Sequence, residues 1–338
     1  MSASALPATG LDPAHAALAA DWRPCSERSL ERNDPLAGTS GLGERWFLIE
    51  VDGSWGRHAL LQSRLESELA RRLVNRIERA RMRPLAIRRP GRRADERRAQ
   101  KSWRWAIVDA RVGRESAVWG VVDDPARLLD VPLDGSTGTA SADPIVCVCT
   151  HARHDQCCAV KGRQALSGLL AAFPDATWEC SHLGGDRFAA TMILFPHALH
   201  FGRVTADAAA GIVRDYLRGS IDTRFFRGRA SLPNVVQAAE SFARDVLKDD
   251  RVDAFRLLEY VGADGVWSVR FRYHPYVAPE STFESPEIVA ESPVVVAESP
   301  IVVVNLHETL SEPLLSTCTA TVPVPVREFA LDAVKIGV

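Results

Sequence analysis

The sequence predicts an α/β protein in which one β-α-β-β-β-α unit occurs twice, followed by a small C-terminal β-rich segment. The 338 residues are 46% hydrophobic and 25% charged, a composition typical of a folded chain with room for two domains and a small third. In both halves, short β-branched runs and segments with helical apolar spacing follow one another in the same order. These two observations exclude wholesale disorder, collagen and coiled coil.

The first unit is predicted from six consecutive segments. Strands are predicted at 46–51, 84–87, 103–110 and 117–122, a helix over 58–80 from its leucine spacing, and a short helix at 124–129. The second unit repeats this order, with strands at 145–149, 177–180, 191–195 and 199–204 and helices at 158–172 and 205–217. The shared order indicates two degenerate thioredoxin-like repeats.

The composition along the chain divides it into four parts. We expect a flexible lead-in over 1–30, an N-terminal repeat over 31–135, a C-terminal repeat over 140–248 and a β-rich segment over 250–338. A helix is predicted at 233–247, and strands follow at 255–261 and 266–273. The last part also contains the heptads ESPEIVA, ESPVVVA and ESPIVVV over 284–304. A proline in every heptad excludes a coiled coil and favours short strands or an edge-strand insertion.

The charge and hydropathy of the sequence show neither a membrane-spanning segment nor a secretory signal peptide. The formal net charge is −2, and no stretch offers the roughly 20 apolar residues of a membrane span. Residues 1–24 lack the basic start and continuous apolar core of a signal peptide. We therefore expect a cytoplasmic protein that does not contact membranes.

The cysteines carry the strongest chemical signal. The seven cysteines are Cys25, Cys147, Cys149, Cys157, Cys158, Cys180 and Cys318. The five from Cys147 to Cys180 fall within 34 residues. In a reducing compartment such clustering indicates metal or redox chemistry rather than disulfide bonds.

Four residues of the second repeat are expected to converge. Cys149 ends the 145–149 strand and Cys158 starts the next helix, while His182 and Asp186 follow the 177–180 strand. Parallel strands of a β-α-β unit place their C-terminal loops at the same sheet edge. Gly184 and Gly185 allow the second loop to bend close to a ligand. The pattern predicts a small metal site.

The residues alone leave several interpretations open. Two thiolates, one imidazole and one carboxylate also suit Zn²⁺, which would make the unit a zinc-stabilised interaction module. Asp186 could equally be a structural loop carboxylate, and we expect His151 and His154 to be solvated or bonded within their loop. An enzyme is a further alternative, a thiol-dependent reductase or peroxidase using Cys157 or Cys158, although the chain has no Cys-x-x-Cys motif.

Three stretches carry a resemblance to a known family. They are CTH and DQCCA around Cys149 and Cys158, WECSHLGGDRFAAT from Trp178, and FP with FGR from Phe195 to Arg203. In these residues the chain resembles the sucrase/ferredoxin-like family of thioredoxin-like [2Fe–2S] ferredoxins. The resemblance covers roughly residues 25–245 and is most specific over 147–203.

The resemblance implies a [2Fe–2S] cluster and a role in electron transfer or redox sensing, with no catalytic residue assigned. Characterised members use a Cys-x8-Cys pair and a His-x3-His pair. Cys149 and Cys158 match the two cysteines, and His182 matches the first histidine. Asp186 stands where the second histidine would be, so the fourth ligand is Asp186 or a substitute such as Cys157 or Cys180.

An arginine-rich segment suggests a docking surface. Residues 71–104 contain fourteen Arg or Lys and three acidic residues. Such a charge excess can be a solvated surface, or it can attract an acidic redox partner at short range. We do not expect nucleic acid as a partner, because the sequence contains none of its recognition motifs.

Overall fold

A computed structural model describes residues 23–91, 100–275 and 299–337. Within these ranges five α-helices occur: α1 (Cys25–Glu31), α2 (Ser67–Arg79), α3 (Gln156–Leu170), α4 (Ala206–Leu217) and α5 (Asn234–Leu247). None of the helices described is long and apolar enough to cross a membrane.

Fourteen strands in the described ranges form two separate sheets. The large mixed sheet contains β1 (Arg45–Glu50), β2 (Arg83–Arg88), β3 (Trp103–Asp109), β4 (Ser116–Val122), β5 (Thr139–Ala140), β6 (Ile145–Cys149), β7 (Thr177–Cys180), β8 (Met192–Phe195), β9 (Leu199–Phe201) and β10 (Phe226–Arg229). The small antiparallel sheet contains β11 (Phe255–Ala263), β12 (Val266–Tyr273), β13 (Ile301–Leu310) and β14 (Arg327–Gly337).

The strand order confirms the predicted fold class of two similar units. The first half of the large sheet has the order β2-β1-β3-β4 and the second half β7-β6-β8-β9. In each half the first two strands are parallel and the others antiparallel. The halves join where β2 pairs antiparallel with β7, with Ile87 opposite Cys180 and Arg88 opposite Glu179. The two units therefore share one continuous sheet.

Alternation along the strands separates two layers of core. On β6, Val146 and Val148 pack with apolar residues of α3 and α4, whereas Cys147 and Cys149 belong to the cluster on the opposite sheet face. This is the period of two expected for a strand buried on both faces. The β6 face that carries Cys147 and Cys149 is therefore opposite the face against which most of α3, the helix that carries Cys158, packs.

The helix α5 packs against the small C-terminal sheet. Its Val236, Ala239 and Ala243 share a core with residues of β12 and β13. Its buried Gln237 accepts a hydrogen bond from the Ser40 amide and donates to the Arg229 and Leu232 carbonyls. One helix therefore ties the C-terminal sheet to the rest of the chain.

Three of the differences between the structure and the sequence prediction concern helices. Residues 25–31 form α1, with Cys25 only 1% exposed, so the flexible lead-in predicted over 1–30 does not extend that far. The helix predicted over 58–80 begins only at Ser67, because the Glu66 carboxylate caps it by accepting from the Glu68 and Leu69 amides. The short helix predicted at 124–129 is a 3-10 helix over Pro125–Leu129.

Most of the ESP heptads lie outside the described residues. The apolar end of the last heptad forms the start of β13, a central strand of the small sheet between β12 and β14. The expectation of an edge strand does not hold for this part, since β13 pairs on both sides.

Candidate metal centre

Two neighbouring strand ends position the predicted site. Cys149 is the last residue of β6, and its register partner in parallel β7 is Cys180. The loop after β6 leads into α3, whose first turn is fixed by Asp155, because its Oδ1 accepts from the Cys157 amide at 2.8 Å. This cap places Cys158 in the first turn of α3, beside the end of the strand that carries Cys149.

The four predicted ligands meet in space. The ligand atoms of Cys149, Cys158 and His182 all lie within 4.8 Å of one another. The Asp186 Oδ1 atom is 3.2 Å from the Cys158 Sγ and 3.1 Å from the His182 Nδ1. Convergence of the loops after the two parallel strands is therefore what brings this set together.

Two glycines shape the loop that carries His182 and Asp186. Gly184 and Gly185 have φ values of +93° and +80°, a region that favours glycine. A β-carbon on Gly185 would lie 2.2 Å from the Nη2 atom of Arg227. The buried Arg227 guanidinium in turn donates to the Gly184 carbonyl at 2.9 Å. Gly185 is thus required both for its backbone conformation and for this close approach.

The structure adds His154, for which the sequence predicts a solvated ring or one that is hydrogen-bonded within its loop. Its ring stacks on the His182 ring with centroids 3.6 Å apart. Its Nε2 lies 3.6 Å from the Asp186 Oδ2, and His154, His182 and Asp186 form a second possible ligand group. The sequence feature that could have identified His154 as a site residue is its position between the two cysteines, four residues before Cys158 on the segment leading into α3.

The site residues shift each other's protonation equilibria. The pKa of Cys149 is lowered, first by the contact with Cys158 and then by His182, against the effect of burial. Burial acts to lower the pKa of His182, but Asp186 and Cys149 raise it to about 9. Burial acts to raise the pKa of Asp186, yet His154, His182 and Cys158 hold it below its usual range. The contacts among these three side chains thus favour the ionised form of each.

Residues of the first repeat contact the segments that follow and flank Cys149. The His151 Nε2 lies 2.7 Å from the Gly56 carbonyl oxygen, and the His151 ring packs edge-on against Trp55. Across the β2–β7 junction, Arg88 pairs with Glu179 at 2.6 Å. The Glu179 carboxylate also accepts from the Thr150 hydroxyl at 3.0 Å. The N-terminal repeat thus supports the loop between Cys149 and Cys158.

Neither substitute ligand belongs to the group formed by Cys149, Cys158 and His182. The Cys157 side chain belongs to a separate group with Cys25, Asp155 and Cys318. Cys180 is fully buried, and burial followed by its contact with Cys147 raises its pKa. Of the candidates for a fourth position, Asp186 and His154 are the ones in contact with His182.

The donor set fits a metal or a metal–sulfur group. Both thiols are buried, with Cys149 at 0% and Cys158 at 1% exposure. The His182 Nδ1 is buried and makes no hydrogen bond within the described part of the chain, although it lies beside Asp186. Two thiols and one imidazole nitrogen whose ligand atoms lie within 4.8 Å of one another form a donor set typical of zinc and of iron–sulfur groups.

The fold and this group of Cys, His and Asp side chains define a thioredoxin-like α/β protein with a candidate metal centre. The chain belongs to the sucrase/ferredoxin-like family, whose family model matches residues 36–228. The matched range covers both halves of the large sheet from before β1 to β10, and it includes all four predicted ligands. Searches of curated proteins and of solved structures found no match.

Proposed function

We propose that Cys149, Cys158, His182 and Asp186 hold a [2Fe–2S] cluster and that the protein transfers single electrons or senses redox state. The observation that carries the proposal is the meeting of two buried thiols with a histidine–aspartate pair within one family-matched site. When bound, such a cluster supplies reversible one-electron chemistry.

The burial of the ligands suggests which of them face outward. The two cysteines are buried, whereas the side chains of His182 and His154 are 28% and 31% exposed. The buried cysteines would supply the inner ligands and His182 the ligand nearest solvent, while the Asp186 side chain is itself only 4% exposed. Electrons would then enter and leave through the histidine side, where a redox partner can approach.

Only some of the cations in the basic segment 71–104 are available to bind an acidic redox partner. Several arginines of 71–104 are used internally: Arg83 donates to the Leu42 carbonyl, Arg88 pairs with Glu179, and Arg89 lies over the Trp178 ring. The exposed cations within the described part of the segment are Arg71, Arg72, Arg79, Arg81 and Lys101. We propose these as the docking charges for an acidic partner.

The burial of Cys158 weighs against a thiol enzyme. The contact with Cys149, together with burial, raises the pKa of Cys158. A nucleophilic cysteine needs both thiolate character and access to substrate. Cys158 is thus better suited to bind a metal than to attack a substrate.

The test is anaerobic purification of the full chain, followed by visible absorption and by iron, acid-labile sulfide and zinc assays on the same sample. The proposal expects a brown protein with about two irons and two sulfides per chain. Cys149→Ser should lose the colour, while Cys147→Ser, a buried thiol on the same strand, should keep it. A colourless protein, even after cluster reconstitution, would contradict the proposal.

The fourth ligand is tested by two further variants in the same assay. If Asp186 ligates, Asp186→Ala should lower cluster content while His154→Ala leaves it close to wild type. The reverse result would assign the fourth position to His154, which stacks on His182.

A further inference from the structure

Three cysteines outside the proposed cluster meet at a single point. Cys25 comes from α1, Cys157 from the first turn of α3, and Cys318 from the connection between β13 and β14. The Sγ–Sγ distances are 3.1 Å for Cys157–Cys318, 3.6 Å for Cys25–Cys157 and 3.6 Å for Cys25–Cys318. These three residues are far apart in the sequence, so it is the packing of whole elements that brings their sulfur atoms together.

Asp155 completes this group. Its Oδ1 accepts from the Cys157 amide at 2.8 Å, and its Oδ2 accepts from the Cys318 amide at 2.7 Å. Its two oxygens also lie 3.9 and 4.0 Å from the Cys25 Sγ. A carboxylate has about four lone-pair positions, so two hydrogen bonds leave room for a metal bond. The two amides hold the carboxylate in a fixed orientation toward the sulfurs.

We propose that Cys25, Asp155, Cys157 and Cys318 form a second metal site that binds Zn²⁺ with three thiolates and one carboxylate. The ligand atoms all lie within 4.8 Å of one another. Zn–S bonds of about 2.3 Å in a tetrahedron place sulfurs about 3.8 Å apart. The observed triangle is slightly smaller, so the sulfurs need only move outward by a few tenths of an ångström.

The electrostatics of the group also suit a cation. The contacts with Cys25 and Cys318 lower the pKa of Cys157, and the contact with Cys157 raises the pKa values of Cys25 and Cys318, the latter to about 11. The Ser26 hydroxyl also donates to the Cys157 Sγ at 3.3 Å. Binding of Zn²⁺ by three thiolates would release the remaining thiol protons to solvent.

The choice of zinc rests on the donor set and its closure. Thiolate-rich tetrahedral sites favour zinc over harder cations such as Mg²⁺ or Ca²⁺. Cys25, Cys157 and Asp155 are at most 3% exposed, and Cys318 is partly exposed at the rim. Four protein ligands in such a closed site leave no position for substrate, which is typical of structural zinc.

The consequence of binding is a link between three parts of the chain. The metal would join α1, the second repeat and the long β13–β14 connection. Cys157 binds here and Cys158 faces the cluster site, so the start of α3 would be held from both sides. The site therefore fixes the helix turn that presents Cys158 to Cys149.

The test measures zinc in full-length protein and in variants that separate the two sites. After loading with zinc alone and desalting, the Cys149→Ser protein, which lacks a ligand of the first site, should retain about one tightly bound zinc. Cys318→Ser, at the partly exposed rim, should weaken zinc affinity roughly 100-fold or more in competition with a chromophoric chelator. Cys149→Ser should retain this zinc, and Cys147→Ser serves as the buried-thiol control.

Cobalt substitution gives a readout that does not depend on folding yield. Co²⁺ in the Cys149→Ser protein should show thiolate charge-transfer and tetrahedral d–d bands, and the charge-transfer intensity should fall by about one third in Cys25→Ser or Cys318→Ser. Equal zinc affinity in wild type and Cys318→Ser would overturn the proposal. A Cys157–Cys318 disulfide in the anaerobically purified protein, seen as an intact-mass loss of two hydrogens, would also overturn it.

Discussion

The Cα of Gly162 lies against the backbone of Cys149, so closely that a β-carbon there would be 2.1 Å from the Cys149 carbonyl oxygen. Helix α3 therefore touches the end of β6 one turn after Cys158. This contact sets the separation between the two cysteines of the proposed cluster site, because one sits on the strand and the other on the helix.

Gly162→Ala should push α3 away from β6. We expect a loss of stability of about 2 kcal/mol, as for other overpacked interiors, together with reduced cluster content. Urea unfolding and the iron assay measure the two effects. The control is Gly211→Ala in α4, where the new β-carbon meets nothing within 4 Å.

The control should behave oppositely, since alanine is favoured over glycine in an open helix position by up to about 1 kcal/mol. If Gly162→Ala were as stable and as cluster-loaded as Gly211→Ala, the close α3–β6 contact would have no role in positioning Cys158.

Replacing Asp186 by histidine should raise the reduction potential of the proposed cluster. A neutral imidazole in place of a carboxylate removes negative charge, and histidine ligation shifts [2Fe–2S] potentials upward by on the order of 100 mV or more. Spectroelectrochemical titration of the wild type and Asp186→His would measure the shift. An unchanged potential in a fully loaded variant would show that Asp186 is not a ligand.

The ion pair inside α5 is the most buried in the described chain. Arg244 Nη2 and Glu240 Oε1 are 2.6 Å apart, with side-chain exposures of 0% and 3%. Glu240→Ala leaves a buried guanidinium charge and should cost about 3–5 kcal/mol, measured by urea unfolding. The double variant Glu240→Leu/Arg244→Met should recover most of this loss, because it removes both charges. A single-variant cost below about 1 kcal/mol would contradict the prediction.

The His197 ring makes stability fall at acidic pH. Burial, followed by the nearby Arg229, lowers the pKa of His197 to about 4, and its Nδ1 lies 2.6 Å from the Tyr216 hydroxyl. Between the unfolded value of about 6.5 and pH 4 the unfolded state binds the extra proton, so lowering the pH favours unfolding.

This linkage amounts to roughly 2–3 kcal/mol of stability lost between pH 6.5 and pH 4. The measurement is urea unfolding of wild type and His197→Gln across that range, and the difference between the two curves isolates this one group. Parallel pH dependences in the two proteins would show that the ring does not resist protonation.

Several elements follow from the sequence because their patterns are local. The strands at 145–149, 177–180 and 266–273 coincide with β6, β7 and β12, since each is a short apolar or alternating run bounded by turn residues. The meeting of Cys149, Cys158, His182 and Asp186 was also predictable, because parallel strands place successive loops at one sheet edge.

Other features depend on contacts between distant segments. The sequence around Cys25 has no strong helical pattern, and α1 is recognised from its burial against Cys157 and Cys318, more than 130 residues away. His154 looks like one of several loop histidines until its ring is seen stacked on His182.

By itself, the sequence determined the order of the elements, the two-unit organisation and the residue types that can bind a metal in the second unit. The tertiary structure decided that both units share one sheet through β2 and β7 and that both Asp186 and His154 contact His182. It also decided that the Cys157 sulfur joins those of Cys25 and Cys318, while the Cys158 sulfur joins the other group. The physical reason is the distance along the chain over which each interaction acts. Backbone periodicity and turn chemistry act over a few neighbouring residues, whereas the partner of a buried thiol is set by how whole elements pack.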